Sequence, residues 1–312
     1  MPQIASLIPT EADAYKLLEE WRWHGEPVCP HCGSINDHYE LKPRDGVAKT
    51  NRGTPTQRRQ WKCKDCRAKF SVLTKTIMHG THIPIRTWVF VIFELCASKN
   101  GIAAREIERR YKLSPKSAWF MLHRIREAMA NGSGDLFSGV VVADETWIGG
   151  TPKNRHAHKR VGSKQGKTDK TPVLTLVHSE TGEVRSKVVA NVSGKTLRSV
   201  IAEQARMEDT TLHTDDAGTY GTFGSELAGH HSVNHKAGEY VRDGVSTNKA
   251  ENYFSQLKRS IDGTHHHVSR EHLPRYLAEF DFRHSTHRLT DAARVDALMG
   301  RVVGRRLIYS DS

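Results

Sequence analysis

The sequence predicts an α/β protein: a mixed five-stranded sheet with flanking helices, preceded by a small cysteine ribbon and a helix-turn-helix-like module. Three observations predict it. Beyond about residue 138, β-branched apolar runs alternate with turn signals and one helical stretch, the pattern of an α/β domain. Two C-x-x-C pairs, Cys29–Cys32 and Cys63–Cys66, lie ahead of it. Between these pairs and the strands, residues 84–130 carry apolar side chains at helical spacing.

Size and charge set the outer limits. A chain of 312 residues accommodates one large domain and one or two small ones, and 37% hydrophobic residues support a packed core. The net charge is +12, and the basic residues are clustered. Ten Lys or Arg stand against two acids between Lys42 and Lys69, and seven against one between Lys153 and Lys170. Such clusters suit a phosphate-bearing partner; the plain alternative is a solvated basic surface. No basic start followed by an apolar run opens the chain. The longest apolar stretch, from Trp88 to Ala97, is interrupted by Glu94 and reaches about half the roughly 20 residues a membrane span needs. The expectation is a soluble cytoplasmic protein, associated with the nucleoid and with no membrane partner.

Residues 1–28 form an N-terminal helical segment, with Ala14, Leu17, Leu18 and Trp21 on one face of a helix from Glu11 to Trp23. Residues 29–72 read as a zinc ribbon. Each C-x-x-C knuckle offers two thiolates, and Cys29, Cys32, Cys63 and Cys66 together complete a tetrahedral structural Zn²⁺ site with no open position for chemistry. Trp61 and Phe70 are placed to cover the metal. His31, inside the first knuckle, reads as exposed rather than ligating, and Cys96 as core. Residues 84–130 read as three helices. Pro84 opens the first, residues 102–112 form the second, and Leu113-Ser114-Pro115 is a turn with Ser114 as N-cap of the third. Ala118, Leu122, Ile125 and Met129 share a face of that third helix. Two helices joined by such a turn suit a DNA-binding module, with Lys116, Ser117, His123 and Arg124 as candidate groove contacts; a packed helix pair is the alternative. Asn131-Gly-Ser-Gly134 reads as the linker to the last domain, residues 138–290, and residues 291–312 as a C-terminal basic tail.

In that domain the strand Gly139–Thr146 carries Asp144, and Thr210–Asp215 ends in a second acid. Between them lie strands at 172–178 and 183–190, joined by a turn at Ser179–Gly182, and a helix from Gly194 to Met207. Strand, strand, strand, helix, strand is the order of a ribonuclease H-like sheet, in which the first and fourth strands are neighbours. A helix from about Thr247 to Ile261 carries the third acid. Its apolar stripe is Ala250, Tyr253, Phe254, Leu257 and Ile261; Asn248, Glu251, Ser255 and Lys258 form a separate polar face. Phosphoryl transfer needs an activated nucleophile and a stabilised leaving oxygen, which two Mg²⁺ (or Mn²⁺) ions held by carboxylates supply. Asp144 is read as bridging the ions, with Asp215 and Glu251 each holding one and Lys258 meeting a substrate phosphate. Glu145 and Asp216 are adjacent competitors, and Asn248 with Glu251 also reads as a helix-capping pair.

Val141–Gly150, His213-Thr-Asp215 with Tyr220, and Thr247–Glu251 through Lys258-Arg259 resemble the DDE insertion-sequence transposases with an N-terminal zinc ribbon, the prokaryotic group related to eukaryotic Merlin elements. Gly263–Ser269 and Leu273–Arg283 fit the same group, as do the thirty-five residues between Asp215 and Glu251. The resemblance implies a ribonuclease H-like fold, recognition of terminal inverted repeats, and strand cleavage by water. It also implies transfer of the 3′-OH into target DNA by a homodimer or larger synaptic complex. DNA contacts are then expected from the basic insert (Lys153, Arg155, Lys159, Arg160) and from Asn248, Lys258, Arg259 and His266. His265, His266 and His267 are expected to line the substrate groove or, alternatively, to form a second metal site. Two competing readings are a DNA-binding regulator whose catalytic domain is retired, and a nuclease that hydrolyses without joining.

Overall fold

The structure, a computed structural model, describes residues 2–308 apart from 36–37, 44–45, 47, 50–52, 131–133, 150–169, 216–217, 235–240 and 243. Most of the expected linker at 131–134 and of the basic insert, with Lys153, Arg155, Lys159 and Arg160, therefore lies outside the described residues. The chain divides into two compact units. The first comprises Met1–Ser98, Ala104–Met129 and Leu289–Ser312; the second comprises Lys99–Ala103 and Ala130–Arg288. Among the described residues, no helix is long and apolar enough to cross a membrane.

In the first unit, α1 (Pro2–Leu7) is followed by α2 (Glu11–Trp23), which opens with a capping box between Thr10 and Asp13. The ribbon strands β1 (His38–Glu40), β2 (Trp61–Cys63) and β3 (Lys69–Phe70) pair antiparallel in that order. Trp23 of α2 packs edge-on against Trp61 and Phe70, and Glu19 pairs with Arg59, so α2 is docked on the ribbon. The helices α3 (Ile85–Ala97), α4 (Ala104–Tyr111) and α5 (Pro115–Met129) follow. Pro84 offers α3 no side-chain cap; instead the Glu11 carboxylate accepts from the amides of Ile85 and Arg86, at 2.6 and 3.0 Å. Ser114 caps α5 through the Ser117 amide, and Ala118, Leu122, Ile125 and Met129 are fully buried. Cys96 is buried in α3.

Two readings of this unit need correction. Arg124 and His123 are inside the helix packing rather than on a surface that meets DNA. The Arg124 guanidinium donates to the His79 carbonyl at 2.7 Å and stacks over Trp88 and Phe120, so its charge is spent internally. Lys116 is exposed, as a phosphate contact requires. At the other end of the chain, the segment read as a basic tail contains α9 (Asp291–Met299), capped by Thr290 and buried through Val295, Leu298 and Met299. It packs on α3 and α2, with Asp296 accepting from the Trp21 indole at 3.0 Å.

The second unit is built on a five-stranded mixed sheet, as expected. Its strands are β4 (Phe137–Ile148), β5 (Thr171–His178), β6 (Val184–Val188), β7 (Ala205–Asp215) and β8 (Gly229–Val233), in spatial order β6-β5-β4-β7-β8. β5 pairs antiparallel with β4 and β6, whereas β4–β7 and β7–β8 are parallel. The first and fourth strands are thus neighbours. Helix α6 (Gly194–Ala202) covers one face; α7 (Asn248–Ser260) and α8 (Leu273–Ser285) cover the other. Along β4 the side chains alternate. Val141 and Ala143 pack with Leu197 and Ile201 of α6, whereas Val142 and Ile148 pack with α7 and α8. The apolar stripe of α7 predicted from sequence, Ala250, Tyr253, Phe254, Leu257 and Ile261, is the face that meets the sheet. Helix α6 is shorter than expected, and β7 begins at Ala205 rather than Thr210. The pairing of β7 with β4 is bulged, stepping from Phe137–Ala205 to Gly139–Thr210.

A buried polar network fixes α7 on this sheet. The Asp281 carboxylate, on α8, accepts from Tyr253 Oη at 2.6 Å, Ser186 N at 2.7 Å and Ser186 Oγ at 2.8 Å. Ser186 Oγ also lies 2.9 Å from Thr175 Oγ1. Burial pushes the Asp281 carboxyl up to about 7, against the pull of these donors. Between about pH 4 and pH 7 the folded state therefore holds a proton that the unfolded chain releases, and the contribution of this carboxyl falls as pH rises through that window. Asp281→Ala is expected to cost about 3 kcal/mol, because it strands buried donors. The cost should be larger at pH 5 than at pH 8. Urea unfolding at the two pH values checks both, and an equal cost at both would contradict the assignment.

Candidate active site

Strand alternation decides which acids share a face. Val142 belongs to the α7 side of the sheet and is level with His213 on β7. The paired register ends there, and two residues further on strand alternation turns both Asp144 and Asp215 to that same side of the sheet. Glu145 points to the opposite face, where it accepts from the buried Tyr220 hydroxyl. Parity therefore puts Asp144 and Glu145 on opposite faces of the sheet. Asp216 lies outside the described residues.

Helix α7 brings the third acid to the α7 side of the sheet. Thr247, not Asn248, is the N-cap, and it makes no side-chain capping bond. Asn248 is the first helical residue, so the capping-pair reading of Asn248 and Glu251 does not describe this helix. Glu251 lies in the first turn, exposed, with Thr247 Oγ1 3.5 Å from its Oε1. Lys258 and Arg259 are exposed two turns further on, with Lys258 Nζ 5.9 Å from the Phe254 ring centre.

The electrostatics tie these groups together. Asp144 is pushed up to about 7, first by burial and then by the negative charges of Asp215, Glu145 and Glu251, although the Glu145 amide donates to its Oδ1 at 2.7 Å. Burial raises Glu145 as well, with Asp215 contributing. The acids are within electrostatic reach without being gathered into a ligand cage: among the described residues, only the four cysteines form a group of three or more side chains spaced to hold a metal ion. An oxygen-only donor set on one face fits hard divalent cations.

Two further features were not read from sequence. The Tyr220–Glu145 bond stitches the end of β4 to the chain just beyond Asp215, on the face opposite the acids. That segment is seated close to α6: a Cβ at Gly194 would lie 2.2 Å from Thr222 Oγ1 and 3.0 Å from the Thr219 carbonyl, so only glycine fits. The second feature is His231 on β8, paired with His213 at a ring separation of 5.9 Å beside Asp215. Tyr220 appears in the sequence only as part of a family-like motif; its bond to Glu145 has no local pattern.

The cysteine site is closed. The four sulfurs lie within 4.8 Å of one another, with Cys29–Cys66 at 3.6 Å and Cys32–Cys63 at 3.7 Å. A tetrahedron with Zn–S bonds of about 2.3 Å has edges of about 3.8 Å, so the donor set fits structural Zn²⁺. His31 is exposed, Phe70 is buried beside the site and Trp61 is partly buried.

Residues 136–285 match the ISXO2-like transposase domain, and residues 9–69 match the transposase zinc-ribbon domain. The chain belongs to the insertion-sequence transposases with an N-terminal zinc ribbon. A protein of the transposable element ISH50 of Halobacterium salinarum is 25% identical over 288 residues, which cover 89% of this chain and 92% of that relative. In this transposase the two matched regions coincide with the ribbon and with the five-stranded sheet and its helices, the sheet carrying Asp144 and Asp215 and α7 carrying Glu251.

Proposed function

We propose that this transposase binds the terminal inverted repeats of its element. We further propose that it cuts and joins DNA strands by metal-dependent phosphoryl transfer at Asp144, Asp215 and Glu251. The observation that carries the reading is that Asp144 and Asp215 turn to one face of neighbouring strands and that the charges of Asp215 and Glu251, the latter on α7, both act on Asp144. The strand order, with its second strand antiparallel and its first and fourth strands adjacent, supports a ribonuclease H-like sheet.

Asp144, Asp215 and Glu251 would hold two Mg²⁺ or Mn²⁺ ions. When bound, such ions activate the attacking oxygen and stabilise the leaving one. The residues of the chain do the rest. The Glu145 amide orients the Asp144 carboxylate, and the Tyr220–Glu145 bond holds that strand end in place. Lys258, exposed on the same helix as Glu251, is available to a backbone phosphate, and Arg259 extends the basic surface. Asn248, exposed at the start of α7, and His266 complete the candidate DNA contacts from this domain, and Lys116 contributes one from the helical module, which we read as helix-turn-helix-like. The basic insert at 151–170 adds Lys153, Arg155, Lys159 and Arg160. A homodimer or larger assembly would bring two ends together.

The test is incubation of the purified protein with labelled duplexes carrying the inverted repeats that flank its gene. Mg²⁺-dependent nicking at the repeat boundary, followed by joining of the 3′ end to a second duplex, is expected. Nicking without joining would favour a purely hydrolytic nuclease; tight end binding with neither would favour a regulator. Tyr220→Phe is expected to lower cleavage about 10- to 100-fold, because Glu145 is left buried without its donor and the strand end loosens. End binding should be unchanged in a gel-shift titration. Cleavage at the wild-type rate would remove the Tyr220–Glu145 bond from the mechanism.

A further inference from the structure

Helix α5 is enclosed along most of its length and open at its start. Every residue from Met121 to Arg126 is buried, whereas Pro115 and Lys116 are exposed and Ser117, Trp119 and Phe120 are partly buried. The open turns border a cavity of about 540 Å³, shared with α4 and lined by Ala104, Arg105, Glu108, Pro115, Lys116 and Trp119. Trp119 has a reason to be there. The core stripe of α5 runs through Ala118, Leu122 and Ile125, and Trp119 lies about 100° round the helix from Ala118. One turn on, the fully buried His123 stacks against its indole with ring centres 4.0 Å apart. The indole is thus a fixed platform at the rim of the helix packing.

The surroundings of the cavity point to one kind of partner. The acids of α4 are engaged within the helix surface: Glu108 by Arg105 at 2.9 Å, and Glu106 by Arg110. Arg109, Lys112 and Lys116 are exposed around the same helix pair, so the module presents net positive charge. An apolar wall of indole and proline beside cations, on the first turns of a helix, matches the major-groove edge of duplex DNA. The apolar group on that edge is the thymine methyl, and lysine pairs with the phosphates that flank it.

We propose that the first turns of α5 read the inverted repeat in the major groove, with Trp119 and Pro115 receiving a thymine methyl and Lys116 meeting a neighbouring phosphate. The proposal rests on the transposase reading above and deepens it, by naming what tells the ends of the element from other DNA. It also moves the reading surface away from His123 and Arg124, which the helix packing encloses.

The test uses the full-length protein without Mg²⁺ and duplexes of the flanking repeat in which each thymine is replaced in turn by uracil. That change removes one methyl and no hydrogen-bonding group. At one position the wild type should lose about fourfold in affinity, the worth of one buried methyl. Trp119→Ala should bind the thymine and uracil duplexes equally at that position. Lys116→Gln should keep the methyl sensitivity while its salt dependence falls by about one released counterion. A third arm needs no variant: 5-iodouracil at the sensitive position, irradiated in complex with the wild type, should cross-link to Trp119. A wild type indifferent to every methyl, a sensitivity that persists in Trp119→Ala, or a cross-link elsewhere overturns the proposal; the first result would leave the apolar wall to a protein partner. Mg²⁺-dependent cleavage of the same duplexes separates the two levels. Cleavage at the repeat boundary without Trp119-dependent methyl sensitivity sinks the reading surface alone. Trp119-dependent sensitivity without cleavage supports the surface and sinks the assigned chemistry.

Discussion

Asp144→Asn, Asp215→Asn and Glu251→Gln are each expected to lower DNA cleavage by about 10³-fold or more, with end binding retained. The reason is chemical rather than structural. Each change preserves shape but removes a charged oxygen donor from a set whose task is to hold hard divalent cations. The three losses should not add, because any one of them dismantles the shared site. Asp144→Asn carries a second expectation. In the folded protein its carboxyl is raised by burial and by the surrounding acids, so ionisation at neutral pH works against folding. The variant should therefore unfold at the same temperature as the wild type or higher, while being inactive. Loss of function with gain of stability is the signature of a group kept for chemistry. Cleavage assays in Mg²⁺ beside a thermal melt check both halves. Full activity of any one variant would remove that residue from the site.

Much of this site is legible in the sequence because strands and amphipathic helices leave periodic traces. The apolar stripe of α7 follows from spacing alone, and that stripe fixes where Glu251 can look. The first four strands of the second unit, and the pairing of the first with the fourth, follow from apolar runs and turns. The misses have equally local causes. β8 is Gly-His-His-Ser-Val, an edge strand with one apolar residue, and gives no period to detect. Helix α6 reads too long because Ala205 falls four residues after Ile201, a helical spacing that β7 uses for a different purpose. α9 was detectable, since Val295, Leu298 and Met299 have helical spacing behind a Thr290 cap; the arginines around it drew the reading toward a tail. The burial of Arg124 was not detectable. Besides Phe120 on its own helix, its partners are Trp88 of α3 and the carbonyl of His79, which come from elsewhere in the chain.

The ribbon carries the other large expected effect. Its strands are three, three and two residues long, too short to be stable by pairing alone. Its aromatic packing is thin, consisting of Trp23, Trp61, His38 and Phe70 in edge-on contacts around the cysteine knuckles. Four sulfurs at tetrahedral spacing therefore supply the cohesion that a larger core would give, and structural zinc contributes on the order of 10 kcal/mol to modules of this kind. Removing the metal with a strong chelator, or replacing the buried Cys63 by serine, should unfold residues 29–70. Trp61 and Trp23 would then enter water, and tryptophan emission should shift to the red. The five-stranded unit has its own two-sided core and should keep a separate, later unfolding transition. End binding should weaken with the ribbon, because the basic residues between the two knuckles lose their common scaffold. Metal analysis must accompany the titration. Complete zinc loss with unchanged emission would mean that the cysteines do not hold the ribbon together. Complete loss with unchanged end binding would mean that the ribbon folds for some purpose other than DNA.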